Sequence, residues 1–278
     1  MKQPIIAIMY DFDKTLCTKD MQEYGFIPAI GMSPSEFWSG VKKLTDEERM
    51  DNILAYMYEM VRGSEAESQA FSREAICALG KDVVYFDGVE TWFDRVNEYA
   101  DKHQVIVEHY IVSSGIKEII EGTSIAKRFK RIYASEFMYR GDRIVWPKFA
   151  VNYTAKTQFL FRINKGVLDV STKSTDIMNE YTAERDRRIP FRNMIYIGDG
   201  LTDVPCMKLV RANGGQSIAV YSPENGSSRV KSLLKAQRVN YIAAADYTEK
   251  SDIESIVFAI IRKIKAEADM LSYQGVLD

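Results

Sequence analysis

Ile5-Ile6-Ala7-Ile8-Met9-Tyr10-Asp11-Phe12-Asp13-Lys14-Thr15-Leu16 is the stretch that decides the fold of this 278-residue chain. Residues 5–10 are an unbroken apolar run. The run is predicted to be a strand buried on both faces, as in a parallel sheet. It stops abruptly at Asp11 and Asp13. Carboxylates just past the C-terminal end of such a strand lie where open α/β sheets bind their ligands.

Working outward, residues 18–85 carry helical patterns, punctuated by Gly25, Gly31, Gly40 and Gly63. Ser33-Pro34-Ser35-Glu36 predicts a helix start, with Ser33 as cap. Thr45-Asp46-Glu47-Glu48 predicts another, followed by Ile53, Leu54, Met57 and Val61 at helical spacing. The Tyr56, Met57, Tyr58 and Met60 cluster reads as the core of this unit. From Gly88 strands and helices alternate. A helix is predicted over 89–100 and a strand over 105–112, ending in Ser113-Ser114-Gly115. Strands over 131–137 and 143–151 form a hairpin through Arg140-Gly141-Asp142. A helix follows over 155–164, then a strand over 194–197 ending in Gly198-Asp199-Gly200. Strands over 216–220 and 239–243, with helices over 226–236 and 250–268, complete the chain. The alternation predicts an α/β fold with a doubly wound parallel sheet. Residues 1–17 and 86–278 form its core, and 18–85 form a helical domain inserted after the first strand. Residues 166–192 read as an inserted charged segment, with Glu180–Arg188 a solvated helical face.

Composition narrows the function classes. With 46% hydrophobic residues and 12% aromatics, the chain suits a soluble globular protein. A formal net charge of −2 gives no basic footprint for nucleic acid and no polybasic patch for an anionic membrane. The first apolar run is too short for a signal sequence or a membrane span. Cys17, Cys77 and Cys206 are widely spaced and suggest neither a metal pair nor a disulfide framework, so a cytoplasmic setting is expected. Cys17 reads as a small buried residue, and structural roles are expected for His103 and His109.

Three strand ends now carry polar residues: Asp11 with Asp13, then Ser113, then Asp199 with Asp203. A parallel sheet brings such ends to one rim. Crowded carboxylates repel one another unless a cation lies among them, and oxygen ligands without histidine suit Mg²⁺.

These segments resemble the haloacid dehalogenase superfamily. The residues that carry the resemblance are D-F-D-K-T-L at 11–16, I-V-S-S-G at 111–115, Lys156, and G-D-G-L-T-D at 198–203. The position of the helical block resembles the C1-type cap of phosphoserine phosphatase-like members. The resemblance implies a hydrolase acting on a small phosphomonoester. Asp11 is then the nucleophile, forming an aspartyl-phosphate and also binding Mg²⁺. Asp13 is the general acid and base, its backbone carbonyl a further metal ligand. Ser113 and Ser114 bind phosphoryl oxygens, and Lys156 neutralises charge on the nucleophile and the phosphoryl group. Asp199 is a direct metal ligand, and Asp203 stands behind it, orienting waters or Lys156. An acid two residues after the nucleophile separates phosphatases from dehalogenases, because a halide leaves without a proton.

The chain departs from that pattern in two places. Lys14 stands where many relatives have glycine, and its side chain is expected to point away from the site, with added charge near the phosphate as the alternative. The separation of Lys156 from Asp199 is long, which leaves Lys165 and Lys173 as rival lysines. Lys156 is favoured because residues 154–157 open an amphipathic helix aimed at the rim. A phosphotransferase or phosphomutase on the same site, and a non-catalytic binding protein using 166–192, are the alternatives. No motif in 18–85 names a substrate, and nothing in the chain fixes an oligomeric state.

Overall fold

The computed structural model describes residues 3–66 and 71–273, except for the side chains of 172–175 and 185. In chain order its main elements are β1 (Ile5–Tyr10), α1 (Phe26–Ala29), α2 (Pro34–Glu48), α3 (Asn52–Ala66), α4 (Arg73–Ala78) and α5 (Val89–Lys102). Then come β2 (Ile106–Ile116), α6 (Lys117–Glu121), β3 (Arg131–Arg140), β4 (Arg143–Phe149), α7 (Ala155–Lys165) and α8 (Thr172–Asn179). The chain closes with β5 (Met194–Gly198), α9 (Val204–Ala212), β6 (Gln216–Tyr221), α10 (Ser228–Lys235), β7 (Tyr241–Ala244) and α11 (Asp252–Tyr273).

The strands form one sheet in the order β4-β3-β2-β1-β5-β6-β7. All neighbours are parallel except the β3/β4 hairpin, which turns at Gly141 with φ 58. β1 is central, and its side chains are buried on both faces, as the apolar run predicted. Ile6, Ile8 and Tyr10 enter one core cluster, Ala7 and Met9 the other. Behind Tyr10 a polar chain is sealed into the first cluster. The Trp92 indole donates to the Tyr10 hydroxyl at 2.9 Å, and that hydroxyl lies 3.0 Å from Nδ1 of His109. Burial pushes the His109 imidazole down to about 3, so it serves as a neutral packing group. His103 closes α5, its Nδ1 2.8 Å from the Tyr99 carbonyl.

Between β1 and α5 the described elements are α-helices and 3₁₀ turns. The chain leaves and re-enters the sheet layer side by side: Thr18 N–H donates to the Val84 carbonyl at 3.0 Å and Phe86 N–H to Leu16 at 3.1 Å. Ser33 caps α2 in a full capping box with Glu36. The predicted start at Thr45 is corrected, because α2 runs unbroken through Gly40 to Glu48 and reverses at Arg49, φ 52. The true cap of α3 is Asp51, whose Oδ1 accepts from the N–H groups of Ile53 and Leu54 at 2.9 and 3.2 Å. The charged run 180–188 is also corrected: it holds only a 3₁₀ turn, Glu184–Asp186, and Arg188 forks onto Glu108 of β2. No helix among the described residues is long and apolar enough to cross a membrane.

Candidate active site

The C-terminal ends of β1, β2 and β5 converge on a cavity of about 360 Å³. Asp11, Asp13, Ser113, Ser114 and Asp199 all line it. The sequence had placed these residues on three strand ends, and the sheet order makes those strands neighbours.

Asp11 is 6% exposed. Its Oδ1 accepts from the Phe12 N–H at 2.8 Å, and its Oδ2 lies 3.0 Å from the Lys156 ammonium. Lys156 sits in the first turn of α7, fully buried, and also donates to Asp203 Oδ1 at 2.8 Å. Burial works to lower the pKa of this lysine, but Asp11 and Asp203 outweigh it and hold the ammonium charged. Among its rivals, Lys165 donates to the carbonyls of Met178 and Glu180, away from the cavity. The side chain of Lys173 lies outside the described residues. The aim of Lys156 is set by Asn152, whose Oδ1 accepts from the Ala155 N–H at 2.9 Å at the entry to α7. The Asn152 amide in turn donates to Asp51 Oδ2 at 3.0 Å, tying the lysine's helix to the start of α3.

Ligand oxygens of Asp11, Asp199 and Asp203 lie within 4.8 Å of one another. Burial, then repulsion from Asp203, raises the Asp11 carboxyl to about 6 against the pull of Lys156. Burial, then Asp203 and Asp11, raises Asp199 to about 7. Such mutual repulsion between oxygen donors, with no nitrogen or sulfur in the set, fits a hard divalent cation. Asp203 falls inside this group, although the sequence reading set it behind the ligands. Its oxygens are already engaged, Oδ1 by Lys156 and the Tyr196 hydroxyl at 2.8 Å each, Oδ2 by the Gly200 N–H at 3.3 Å. Gly198 permits this fold-back, since an added Cβ would lie 2.5 Å from Asp203 Oδ2. Asp11 carries one partner on each oxygen, and Asp199 takes none of these bonds.

Asp13 is held differently. Its Oδ1 accepts from the Met21 N–H at 2.9 Å and takes the Cys17 thiol at 3.6 Å. Burial, then the charges of Asp20 and Asp11, push its carboxyl well above the ordinary range. Gly115 leaves room opposite it for Met21, whose terminal methyl would lie 2.1 Å from an added Cβ.

β2 runs further than predicted, through Ser113 and Ser114 to Ile116, with a register shift against β3 between Val112 and Ile116. That irregularity turns both serines to the cavity. The Ser113 hydroxyl accepts from the Gly115 N–H at 3.0 Å, and the Ser114 hydroxyl has no partner among the described residues. Lys14 corrects the expectation that it points away. It lines the cavity, salt-bridges to Asp20, and its charge opposes the rise of Asp13 and Asp199. Its backbone is left-handed, φ 57, the conformation that explains why glycine suits this turn.

Sequence reading missed the other walls: Asp20, Gln22, Trp38, Asn52 and Arg229, together with Tyr196 beneath Asp203. Tyr56, read as core alone, also lines the cavity and donates its hydroxyl to the Ser114 carbonyl at 2.5 Å.

The comparisons with known proteins agree with this fold. The haloacid dehalogenase-like hydrolase family matches residues 8–208. An uncharacterized protein of Borreliella burgdorferi is 29% identical over 276 residues, covering 89% of this chain and 93% of its own. Among solved structures, a haloacid dehalogenase family hydrolase from Salmonella enterica serovar Typhi shares the fold with TM-score 0.56 and 15% identity, covering 93% of this chain and 72% of that one. A substrate-bound phosphoserine phosphatase does so with TM-score 0.54 and 16% identity, over 92% of this chain and 98% of its own.

Proposed function

The chain belongs to the haloacid dehalogenase-like hydrolase family, and from that membership we propose that it is a Mg²⁺-dependent phosphatase acting on a small phosphomonoester. The observation that carries this reading is the contrast between two aspartates separated by one residue. Asp11 is paired with a buried ammonium at 3.0 Å, whereas Asp13 Oδ1 takes the Met21 N–H and the Cys17 thiol. One is equipped to attack as an anion, the other to hold a proton.

In the proposed reaction the Asp11 carboxylate attacks phosphorus while the bond to the leaving oxygen breaks, and Asp13 passes its proton to that oxygen. Asp13, now ionised, then takes a proton from the water that attacks phosphorus, and the Asp11–phosphoryl bond breaks. Ser113 and Ser114 hydrogen-bond the phosphoryl oxygens. Lys156 neutralises Asp11 and the transferring group, held in place by Asp203. Asp11 and Asp199, with the Asp13 backbone carbonyl, would hold Mg²⁺, which supplies charge stabilisation at the phosphoryl oxygens. The helical segment 18–85 acts as the cap that limits substrate size. Support comes from its contact with the site, where Tyr56 donates to the Ser114 carbonyl.

Hydrolysis of an aryl phosphate by the purified protein tests this. Turnover is expected with Mg²⁺, lost on chelation and restored by added metal. Turnover that persists in excess chelator overturns it.

A further inference from the structure

Gln22 lines the cavity at 2% exposure, and its side-chain oxygen has no hydrogen-bond partner among the described residues. A buried amide left unpaired is costly, whichever way its oxygen and nitrogen are turned. Such a cost is understandable where a ligand group supplies the missing partner.

Gln22 also adjoins the proposed proton donor. The preceding residue, Met21, donates its N–H to Asp13 Oδ1 at 2.9 Å, so the turn Met21–Glu23 is clamped to the proposed proton donor. The neighbouring walls are neutral. Trp38 commits its indole N–H to Glu23 at 2.8 Å, which leaves its ring as a surface. Tyr56 commits its hydroxyl to Ser114, and Asn52 adds a second amide. The charges on this side cancel, because the Lys14 ammonium is paired with Asp20. An amino-acid leaving group brings an ammonium and a carboxylate, and each needs a counter-charge that this pair does not offer while intact. Arg229, from α10, is exposed and also lines the cavity.

Resting on the phosphatase reading above, we propose that Gln22 selects an uncharged, hydroxyl-bearing leaving group, so that the substrates are polyol or sugar monophosphates. A hydroxyl both donates and accepts, and so satisfies an amide in either orientation.

The test compares kcat/KM for glycerol phosphates and hexose monophosphates with that for phosphoserine, phosphothreonine and an aryl phosphate, in the wild type and in Gln22→Met. Methionine keeps the unbranched shape without the amide. The best wild-type substrate is expected among the polyol and sugar phosphates. Gln22→Met is expected to lower the ratio of that kcat/KM to the aryl value by about tenfold, the effect of one hydrogen bond. Thermal unfolding gives a second reading: Gln22→Met is expected to raise Tm by about 2 °C without substrate, since an unpaired amide is removed. An unchanged ratio, a phosphoamino acid as best substrate, or a lowered Tm in Gln22→Met would each overturn the proposal. Wild type that turns over no phosphate, aryl phosphate included, overturns the phosphatase reading and this one with it.

Discussion

On the floor of the cavity two carboxylates share one buried ammonium: Lys156 lies 3.0 Å from Asp11 and 2.8 Å from Asp203, and Asp203 also takes the Tyr196 hydroxyl. On the helical roof most walls are neutral, Asp20 is paired with Lys14, and the buried Gln22 side-chain oxygen has no partner among the described residues. The floor comes from strand ends and one helix start, fixed by the sheet. The roof comes from turns and helices inserted between β1 and α5. The contrast teaches that chemistry and selectivity are built on different elements. Disturbing the floor should cost rate and stability together, and disturbing the roof should mainly redistribute preference.

The largest expected effect is on rate. Asp11→Asn removes the attacking anion and should lower kcat on any phosphate by at least about 10³-fold, read from steady-state assays. Next comes Lys156→Met, which leaves Asp11 and Asp203 buried without their ammonium. Removing one partner of a buried ion pair costs about 3–5 kcal/mol, so denaturant unfolding should show a loss of that order along with lost turnover. A loss below about 1 kcal/mol would mean that the two carboxylates are not charged together, and would break the contrast between floor and roof.

Smaller, and sharper in its sign, is the coupling of pH to metal. Asp11 and Asp199 are raised to about 6 and about 7 in the folded protein, above the ordinary carboxyl value of 3.8. The metal-free folded chain therefore binds more protons than the unfolded chain between these values. The stability contributed by these groups is fully present below the unfolded value and is lost as pH rises through 6 to 7. Mg²⁺ competes with those protons. Its stabilisation should be small at pH 5 and grow to about 2–3 kcal/mol at pH 8 at a concentration about a hundredfold over Kd. Calorimetric scans with chelator and with Mg²⁺ at the two pH values measure this, and Asp199→Asn should flatten the difference.

The smallest expected effect lies where floor and roof join. Asn152→Ala removes the cap of α7 and the bond to Asp51, and should cost about 1 kcal/mol. Its effect on kcat should exceed its effect on KM, because Lys156 is then less well aimed. An effect confined to KM would show that the link serves the roof alone.

Much of the floor was legible in the sequence. A strand buried on both faces announces itself by an unbroken apolar run, and a parallel sheet puts the residues after such strands on one rim. Asp11, Asp13, Ser113 and Asp199 could thus be placed on one rim before their distances were known, whereas Lys156 came from the resemblance to the family pattern. The engagement of Asp203 was half legible: its place near the metal group follows from the loop, but the Tyr196 hydroxyl beneath it comes from side-chain packing that no motif carries. The roof was hardly legible. Gln22, Trp38 and Asn52 follow no spacing rule, since a turn tied to Asp13 and two helices bring them together only after folding. The misplaced start at Thr45 has a similar cause. Thr45 and Glu48 match a capping pattern, yet Asp51 satisfies the free N–H groups of the next helix. Lys14 was misjudged because its left-handed backbone turns the side chain back over the cavity toward Asp20.

The central claim is that Asp11 takes the phosphoryl group itself. Acid quenching of the enzyme during turnover of a radiolabelled phosphomonoester, followed by peptide mapping, tests it directly. The expected result is label on the peptide containing Asp11, released by hydroxylamine as an acyl phosphate is, and absent from Asp11→Asn. Label on another residue, or full turnover in Asp11→Asn, would contradict it.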